Sequence, residues 1–504
     1  MADLNEQDAT SQYSSFYPTF LSCVALYIAW QYLLRTGALW NSKSEPPVLP
    51  YLVPVIGHSL SFLRDTHGII LAGRKYFDNK PFSILLGGRR TYVVPDHRHM
   101  AEVWKRTKEV VYEPFIDHLM VCIGVPQASR DIVWNTKPNE TSTSITTYVL
   151  DLVREEVGPG PAGQPFLDRL MQALDDVLQD GSLLTTGKDD EHSLLKFTND
   201  LIMTASTDTF FGKVLLQKFP DILETFATFE HHAWEIIFPL PSFLVTTGRK
   251  AKDAVIDGLA RYFDLPQDER RDVAAFVSKG EDVMHVLGVS HHQPTTATSN
   301  NETRINGMPS ILAFWLLARV VYTPNLLGEL RAEVAPAFKD GIHSRPDMEY
   351  LTTCPKLNAT FHETLRVHGG AAGFRRVVSD TTVAGYTFKT GNDVIMTYRQ
   401  LHIDKEIWGP GAESFDINRF IENPKLATGR TFKPFGGGSS LCYGRFLVRQ
   451  TALCFLATLV TRYDMEVVGD CPFPGMDEKV PQVGVILPTM DQIPKIRIRE
   501  VTAA

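Results

Sequence analysis

The chain has 504 residues, of which 44% are hydrophobic and 21% are charged, and its formal net charge is −8. The length suggests about three domains, but a single large α-rich domain also fits and would have ample apolar residues for its core. The negative charge gives no reason to expect a nucleic acid as partner. The 6 cysteines are widely scattered. They form no disulfide or metal pattern, which indicates a reducing compartment.

An uncharged apolar run, residues 16–34, lies near the N-terminus and is long enough to cross a bilayer as a helix. Acidic residues precede it, while Arg35 and Lys43 follow it, so the positive-inside rule places the rest of the chain in the cytoplasm. A cleaved signal peptide is the alternative, but it would need a basic start and a shorter apolar core. We predict a lumenal segment at 1–15, a transmembrane anchor at 16–34, a proline-rich linker at 35–57 and a folded region at 58–504.

The middle of the chain shows mostly helical periodicity. Residues 92–94 are typical of a strand, and apolar spacing predicts helices over 98–107, 167–178, 194–211, 222–234 and 251–263. The composition of residues 290–304 is polar and of low complexity, which predicts a loop. Another helix is expected between that loop and Pro324, with residues 314–317 in its buried portion.

Two charged motifs follow that helix. Glu363 and Arg366 lie three residues apart, which puts them on one face of a helix where carboxylate and guanidinium can pair. Arg419, in the segment 415–420, can close a three-member network with them. An exposed ion pair of little energetic value is the alternative.

A single cysteine, Cys442, stands in a glycine-rich loop that leads into an amphipathic helical run at 446–463. We expect the apolar residues of that run, starting with Phe446, to form a buried face behind the cysteine. Glycines permit positive φ angles and close backbone approach, and a helix N-terminus favours a negative charge. Such a loop suits a thiolate that is the only protein ligand of haem iron. The alternative is a small buried cysteine in a turn.

These three motifs, in this order, resemble those of the cytochrome P450 family. The resemblance implies a mainly α fold with small β-sheets, preceded by one transmembrane helix, so that 58–504 becomes a haem-thiolate catalytic domain. It also implies haem b, with Cys442 as the iron ligand and catalytic residue. The surrounding residues of the haem site would be Phe435, Gly436, Gly438 and Gly444.

Propionate binding departs from the family pattern. Ser440 stands where the family usually has Arg or His, so one propionate contact is missing or replaced. Arg375 resembles the family's other propionate-binding arginine, and Arg376 is its neighbouring substitute.

The helix before Pro324 also departs from most monooxygenases of the family, because the acid–threonine pair that delivers protons is absent. Asn306 followed by Pro309 resembles instead the branch that contains steroid 7α-hydroxylases and prostacyclin synthase. In that branch proline stands three residues before a Phe, whereas Pro309 stands five before Phe314. Either Asn306 or Met308 is therefore expected to face the iron, with Asn306 as the candidate catalytic residue. A plain proline kink is the alternative. The resemblance suggests as pocket-lining residues Asn306, Met308, Pro309, Ala372, Gly373, Val483 and Gly484.

The implied function is that of a microsomal monooxygenase, single-pass in the endoplasmic reticulum membrane. It would use O2 and electrons from NADPH, which reach it through cytochrome P450 reductase, with cytochrome b5 as a second candidate partner. The expected substrate is a hydrophobic small molecule of secondary metabolism, such as a terpenoid, sterol or polyketide. The missing threonine favours an alternative, a haem-thiolate isomerase or dehydratase that needs no reductase.

Overall fold

The computed structural model describes residues 21–22, 24–30, 44–51, 56–185, 191–238, 245–287, 296–481 and 484–501. Contacts divide the chain into two compact units. The first comprises Met1–Val111 with Arg375–Met396, and the second comprises Tyr112–Phe374 with Thr397–Ala504.

The first unit is built on a β-sheet. The strands of that sheet are Phe82–Leu86 (β1), Arg89–Val94 (β2), Val110–Val111 (β3), Ala372–Val377 (β5) and Asp393–Thr397 (β8), in the order β1-β2-β8-β5-β3. Strands β1 and β2 are antiparallel, whereas β2 and β8 are parallel. Gly87 and Gly88 join β1 to β2 with φ angles of +55° and +78°, the left-handed pair that a two-residue hairpin turn requires.

Between residue 56 and residue 396, the described part of the first unit also contains three helices and a small hairpin. They are Ser59–Arg64 (α1), Thr66–Tyr76 (α2), His97–Lys105 (α3), Thr381–Val383 (β6) and Tyr386–Phe388 (β7). Helix α2 packs closely on β1, because a Cβ at Gly73 would lie 2.2 Å from the ring of Phe82.

The second unit is mainly helical. Its helices are Glu113–Ile123 (α4), Gln127–Asn135 (α5), Ile145–Val157 (α6), Gln164–Gln179 (α7), Ser182–Thr185 (α8), Leu194–Phe211 (α9), Val214–Lys218 (α10), Ile222–Ile237 (α11), Thr246–Phe263 (α12), Ala275–Val286 (α13), Thr296–Tyr322 (α14), Leu326–Val334 (α15), Met348–Thr353 (α16), Pro355–His368 (α17), Tyr398–His402 (α18), Lys405–Trp408 (α19), Asn418–Glu422 (α20) and Arg445–Arg462 (α21). Short 3₁₀ turns occur at Ala335–Ala337, Pro424–Thr428, Gly438–Ser440 and Met490–Gln492.

A second sheet belongs to this unit. Its strands are Glu191–Ser193 (β4), Tyr463–Val467 (β9) and Lys495–Glu500 (β10), all antiparallel, with β10 in the middle. The main core joins α7, α9, α14, α17 and α21, and on α14 Phe314, Trp315, Leu316 and Leu317 are all fully buried. Burial of this apolar segment accounts for the position of α14 in the centre of the core.

The expected elements are mostly confirmed. The helices predicted at 194–211, 167–178, 222–234 and 251–263 correspond to α9, α7, α11 and α12, and residues 92–94 lie in β2. The loop predicted at 290–304 was wrong from Thr296 onward, where α14 begins. Helix propagation from the buried part of α14 overrides the weak local preference of this polar sequence. The run at 446–463 is helical as α21, but Phe446 is exposed and does not belong to the buried face.

Most of the expected membrane anchor, 16–34, lies outside the described residues. Of its described part, residues 21–22 and 24–30 are helical, and Leu21, Leu26 and Ile28 are exposed. In the part of the chain that the structure describes, no single helix is long and apolar enough to span a membrane. The pair Met308–Tyr322 and Leu326–Ala337, bent by 111°, meets the length and composition requirement only together.

Candidate active site

The loop around Cys442 is folded as a compact turn. The backbone N–H of Cys442 donates to the carbonyl of Phe435 at 3.0 Å. Gly436 and Gly438 have φ angles of +77° and +67°, which side-chain-bearing residues rarely adopt. The side chain of Cys442 is exposed, so its sulfur is accessible to a ligand.

The sulfur of Cys442 lies beside the start of α21. A Cβ at Gly444, the residue that precedes this 18-residue helix, would be 4.0 Å from Sγ. No side chain caps the helix. The partial positive charge of a helix N-terminus lowers the pKa of a nearby thiol and favours the thiolate.

Tyr443, next to the cysteine, holds a cation close to the loop. Its hydroxyl accepts from the guanidinium of Arg154 at 2.6 Å, and that guanidinium lies 4.1 Å from the ring centroid. Tyr112 lies near the same hydroxyl, and burial, followed by the charge of Tyr443, raises the pKa of Tyr112. Sequence patterns could not indicate this cluster, because 289 residues separate Arg154 from Tyr443.

Behind the loop, Glu363 and Arg366 form a buried bidentate ion pair. Arg366 Nε and Nη2 each donate to a Glu363 carboxylate oxygen at 2.7 Å, and both side chains are 0% exposed. The remaining Arg366 donors reach three backbone carbonyls, those of His402, Ala412 and Ser414. The alternative of an exposed ion pair is therefore excluded.

Arg419 completes the network as expected. Its Nε lies 3.5 Å from Glu363, and its two terminal nitrogens donate to the carbonyls of Trp408 and Gly411 at 2.7 Å. Glu363 also accepts the backbone N–H of Asp416 at 2.9 Å. The buried carboxylate of Glu363 therefore links α17 to the segment around Asp416 and Arg419, which leads toward the Cys442 loop.

Helices α14 and α21 border a small apolar cavity with room for about one water molecule. Pro309 lies inside α14, where it cannot donate the helical hydrogen bond to residue 305. The cavity lies between α9, α14 and α21 and is lined by Ile202, Pro309, Leu312, Ala313, Val448, Thr451, Ala452 and Phe455. Pro309 therefore faces α21, the helix that begins just after Cys442.

Two of the expected pocket residues are in contact. A Cβ at Gly484 would lie 1.6 Å from Sδ of Met308, so the methionine occupies the space above the glycine. Ala372 and Gly373 begin β5. Asn306 lies in α14, but its side chain, like Val483, is outside the described part of the structure.

The two candidate propionate arginines differ in their surroundings. Arg375 is buried, whereas Arg376 Nε pairs with Asp393 at 2.7 Å on the half-exposed side of β5. Arg375 therefore remains the better candidate of the two. Ser440 ends the 3₁₀ turn Gly438–Ser440.

Cys442 is an accessible thiol beside a helix start, in a loop whose glycines have left-handed conformations. This arrangement is typical of haem-thiolate proteins. The residues present fit haem, because the sulfur of Cys442 is accessible and lies beside the N-terminus of α21. In the described ranges, no group of three or more His, Cys, Asp and Glu side chains could hold a metal ion by itself. Cys442, accessible in its glycine loop, is the candidate for holding iron.

Comparisons with known proteins agree with this class. Residues 310–492 match the model of the family described as Cytochrome P450. The chain is 26% identical to the cytochrome P450 monooxygenase poxD of Penicillium oxalicum over 90% of this chain and 93% of that protein. It is 23% identical to the cytochrome P450 monooxygenase nodJ of Hypoxylon pulicicidum over 89% and 88% of the two chains. It is 26% identical to the 5-epiaristolochene 1,3-dihydroxylase of Nicotiana tabacum, over 89% and 92%.

Residues 310–492 thus match the cytochrome P450 family, and relatives that cover about 90% of the chain are named as monooxygenases of that family, which supports the predicted haem-thiolate monooxygenase. The family implies haem as the cofactor. The expected likeness to the 7α-hydroxylase and prostacyclin synthase branch stays a prediction.

Proposed function

We propose that this protein is a membrane-anchored monooxygenase that hydroxylates or epoxidises a hydrophobic small molecule with O2 and electrons from NADPH. The observation that carries the proposal is the position of Cys442, accessible in its glycine loop at the start of α21. Bound haem would supply the activation of O2 and the oxidation of the substrate.

The side chains around the loop have distinct roles in this proposal. Cys442 would hold the haem iron through its sulfur, and Phe435 with Gly436, Gly438 and Gly444 shapes the loop around it. Arg375 holds a propionate from the buried side of β5. The Glu363–Arg366 pair fixes the segment behind the loop and makes no contribution to the chemistry itself.

On the α14 side, the chain must exclude bulk water and deliver protons. The apolar residues of the cavity, including Leu312 and Ala313, perform the first task. For the second we propose Asn306, assisted by the buried Ser310 and by the backbone carbonyl at residue 305 to which Pro309 cannot donate. Protein groups placed in this way act as proton donors or hold the water that does.

The substrate class rests on one relative. The tobacco relative is named as a dihydroxylase of 5-epiaristolochene. Its name favours a terpenoid over the other two candidates, a sterol and a polyketide, and a role in secondary metabolism.

Anchoring in the endoplasmic reticulum membrane, with the catalytic domain in the cytoplasm, is part of the proposal. It is supported by the uncharged run at 16–34, by the charge difference across it, and by the exposed apolar side chains of Leu21, Leu26 and Ile28. A shared membrane would keep NADPH–cytochrome P450 reductase, and also cytochrome b5, close to the enzyme.

Replacement of the proposed ligand tests the haem site. Cys442→Ser should abolish the red-shifted Soret band that reduced, CO-bound haem shows with a thiolate ligand. Cys471→Ser is the matched control, because Cys471 is also partly accessible and lies outside the glycine loop. Loss of the band in the control but not in Cys442→Ser would move the ligand to another cysteine.

The reductase requirement separates the proposal from the isomerase or dehydratase alternative. Purified protein is incubated with terpenoid, sterol and polyketide extracts, with and without NADPH and reductase. A monooxygenase forms products that contain one atom from ¹⁸O2, and only in the complete mixture. Products that form without NADPH and contain no label would instead select the alternative.

A further inference from the structure

A thiol and an imidazole lie next to each other on one face of α4. Cys122 follows His118 by four residues, about one helical turn, and Cys122 Sγ lies 3.5 Å from His118 Nε2. Both side chains are partly exposed, and neither residue belongs to the haem site. Sulfur and imidazole nitrogen are the ligands that borderline and soft metal ions prefer in proteins.

The last carbonyl of α11 lies beside this pair. His118 Nε2 is 2.9 Å from the carbonyl oxygen of Ile237, and Cys122 Sγ is 3.8 Å from the same oxygen. Ile237 ends a helix of 16 residues, so its carbonyl is one of those at a helix end that have no partner within the helix. The C-terminus of a helix carries a partial negative charge and favours a cation. A third donor atom, from a separate helix, therefore faces the thiol and the imidazole.

These three atoms are spaced as the ligands of one tetrahedral ion would be. Zinc binds sulfur at about 2.3 Å, nitrogen at about 2.0–2.1 Å and oxygen at about 2.0–2.2 Å, so tetrahedral angles place such ligands about 3.4–3.6 Å apart. The sulfur lies 3.5 Å from the nitrogen and 3.8 Å from the oxygen, and the nitrogen lies 2.9 Å from the oxygen. Binding therefore requires the imidazole and the carbonyl to separate by about 0.5 Å.

Two cations that reach α4 are already paired with carboxylates. Lys252 of α12 lies 2.7 Å from Asp253, and Arg130 of α5 lies 3.1 Å from Asp117. Their positive charges are thus offset and oppose a bound cation only weakly. Burial raises the pKa of the Cys122 thiol to about 11, so the thiol keeps its proton until a metal ion displaces it.

We propose that Cys122 Sγ, His118 Nε2 and the carbonyl oxygen of Ile237 bind one zinc ion, with water in the fourth position. The S–H bond of Cys122 breaks, its proton passes to the solvent, and a zinc–sulfur bond forms with no change of oxidation state. With its own proton on Nδ1, the His118 ring offers the lone pair of Nε2. The bound ion joins α4 to the end of α11.

Zinc titration of the haem-loaded protein by isothermal calorimetry tests the site. Haem is kept in place because Cys442 without haem would offer zinc another accessible thiol. Cys122→Ser removes the sulfur ligand, whereas His118→Gln removes the imidazole but keeps a donor for the carbonyl of Ile237. Each variant should bind zinc about tenfold more weakly or worse, since loss even of a group that only supports a ligand costs about 10–100-fold. The binding heat of the wild type should vary with the buffer, because one proton is released.

Cys471→Ser and His232→Gln are the matched controls. Cys471 is another partly exposed cysteine, and His232 is another partly exposed histidine with a partner on its own helix, Glu235 at 2.8 Å. Both controls should retain the zinc affinity of the wild type. Wild-type protein that binds no zinc, wild-type affinity in Cys122→Ser or His118→Gln, or an equal loss in either control overturns the proposal.

Cadmium NMR separates ligation by sulfur from a general effect on folding. Cadmium replaces zinc at sulfur and nitrogen ligands, and a bound thiolate moves the ¹¹³Cd resonance far downfield. Ferrous, CO-bound protein is used because it is diamagnetic, and its CO spectrum reports the haem site independently. The downfield signal should be present in the wild type and absent in Cys122→Ser, with the CO spectrum unchanged in both. If Cys122→Ser does not retain haem, His118→Gln decides, and it should keep a sulfur-shifted signal while its metal affinity falls. A wild-type resonance typical of nitrogen and oxygen ligands alone overturns the proposal.

Discussion

Replacement of Arg366 by alanine should show how much the buried network behind the Cys442 loop contributes to the free energy of unfolding. The variant loses both bonds to Glu363 and all three bonds to backbone carbonyls. Glu363, which is 0% exposed, then keeps only the Asp416 N–H at 2.9 Å and Arg419 at 3.5 Å. The principal consequence is a buried carboxylate that has lost its bidentate partner and keeps only one long ionic contact.

The size of the effect follows from burial. Removing one partner of a buried ion pair costs about 3–5 kcal/mol, because the remaining charge has lost its compensation in a region without water. The loss is concentrated between α17 and the segment that leads into the cysteine loop. We therefore expect haem incorporation to fail together with stability.

The assay combines denaturant unfolding with the CO difference spectrum. Lys196→Ala is the control, because Lys196 pairs with Asp200 on α9 at 2.7 Å while its side chain is 75% exposed. Such exposed pairs contribute about 0.2–1 kcal/mol. Arg366→Lys, which keeps the charge but not the fork, should lie between the two. If Arg366→Ala retained full haem occupancy and unfolded within about 1 kcal/mol of wild type, the reasoning would be refuted.

Three further predictions concern other parts of the chain. Burial raises the pKa of Glu230 to about 8, from a model-compound value of 4.5. The unfolded chain therefore loses this proton at lower pH than the folded protein, and folding is penalised increasingly from pH 4.5 to 8. Glu230→Gln should therefore gain more stability at pH 8 than at pH 5, and an equal gain at both pH values would contradict this. Asn306→Ala should form less product per NADPH and release more hydrogen peroxide, while substrate-induced spectral shifts persist; unchanged coupling would assign proton delivery to another group, which Ser310→Ala would test. Deletion of residues 1–34 should move the protein from the membrane pellet to the supernatant, and continued sedimentation with membranes would contradict the anchor.

Helices whose apolar residues recur with a strong helical period could be predicted from local sequence signals alone. The range predicted for α9, 194–211, is the range observed, because the Ser193 side chain accepts the N–H of Lys196 at its start and Gly212 follows its end. Helix α3 was predicted to end at 107 but ends at Lys105. The N-terminal half of α14 was missed, since its polar residues carry no apolar period and depend on the rest of the helix for their conformation.

The cysteine loop and the Glu363–Arg366 pair could be recognised from sequence because each is local: its function requires particular residue types at a fixed spacing. The contacts of Trp315 with Ile486 and of Arg154 with Tyr443 could not, since each joins segments more than 150 residues apart. Sequence spacing predicts contacts only between residues that belong to the same helix, strand or turn. These long-range contacts depend on tertiary packing, which is where the sequence pattern carries no information.

The choice between Arg375 and Arg376 as the propionate-binding arginine depends on which face of β5 each side chain occupies. Successive residues of a strand point to opposite faces, so two adjacent arginines cannot both reach the same group. In β5, Arg376 lies on the half-exposed face and is engaged by Asp393 of β8, while Arg375 is buried. Arg376 is thus committed to Asp393, and Arg375, which the resemblance to the family named first, stays the predicted propionate-binding arginine.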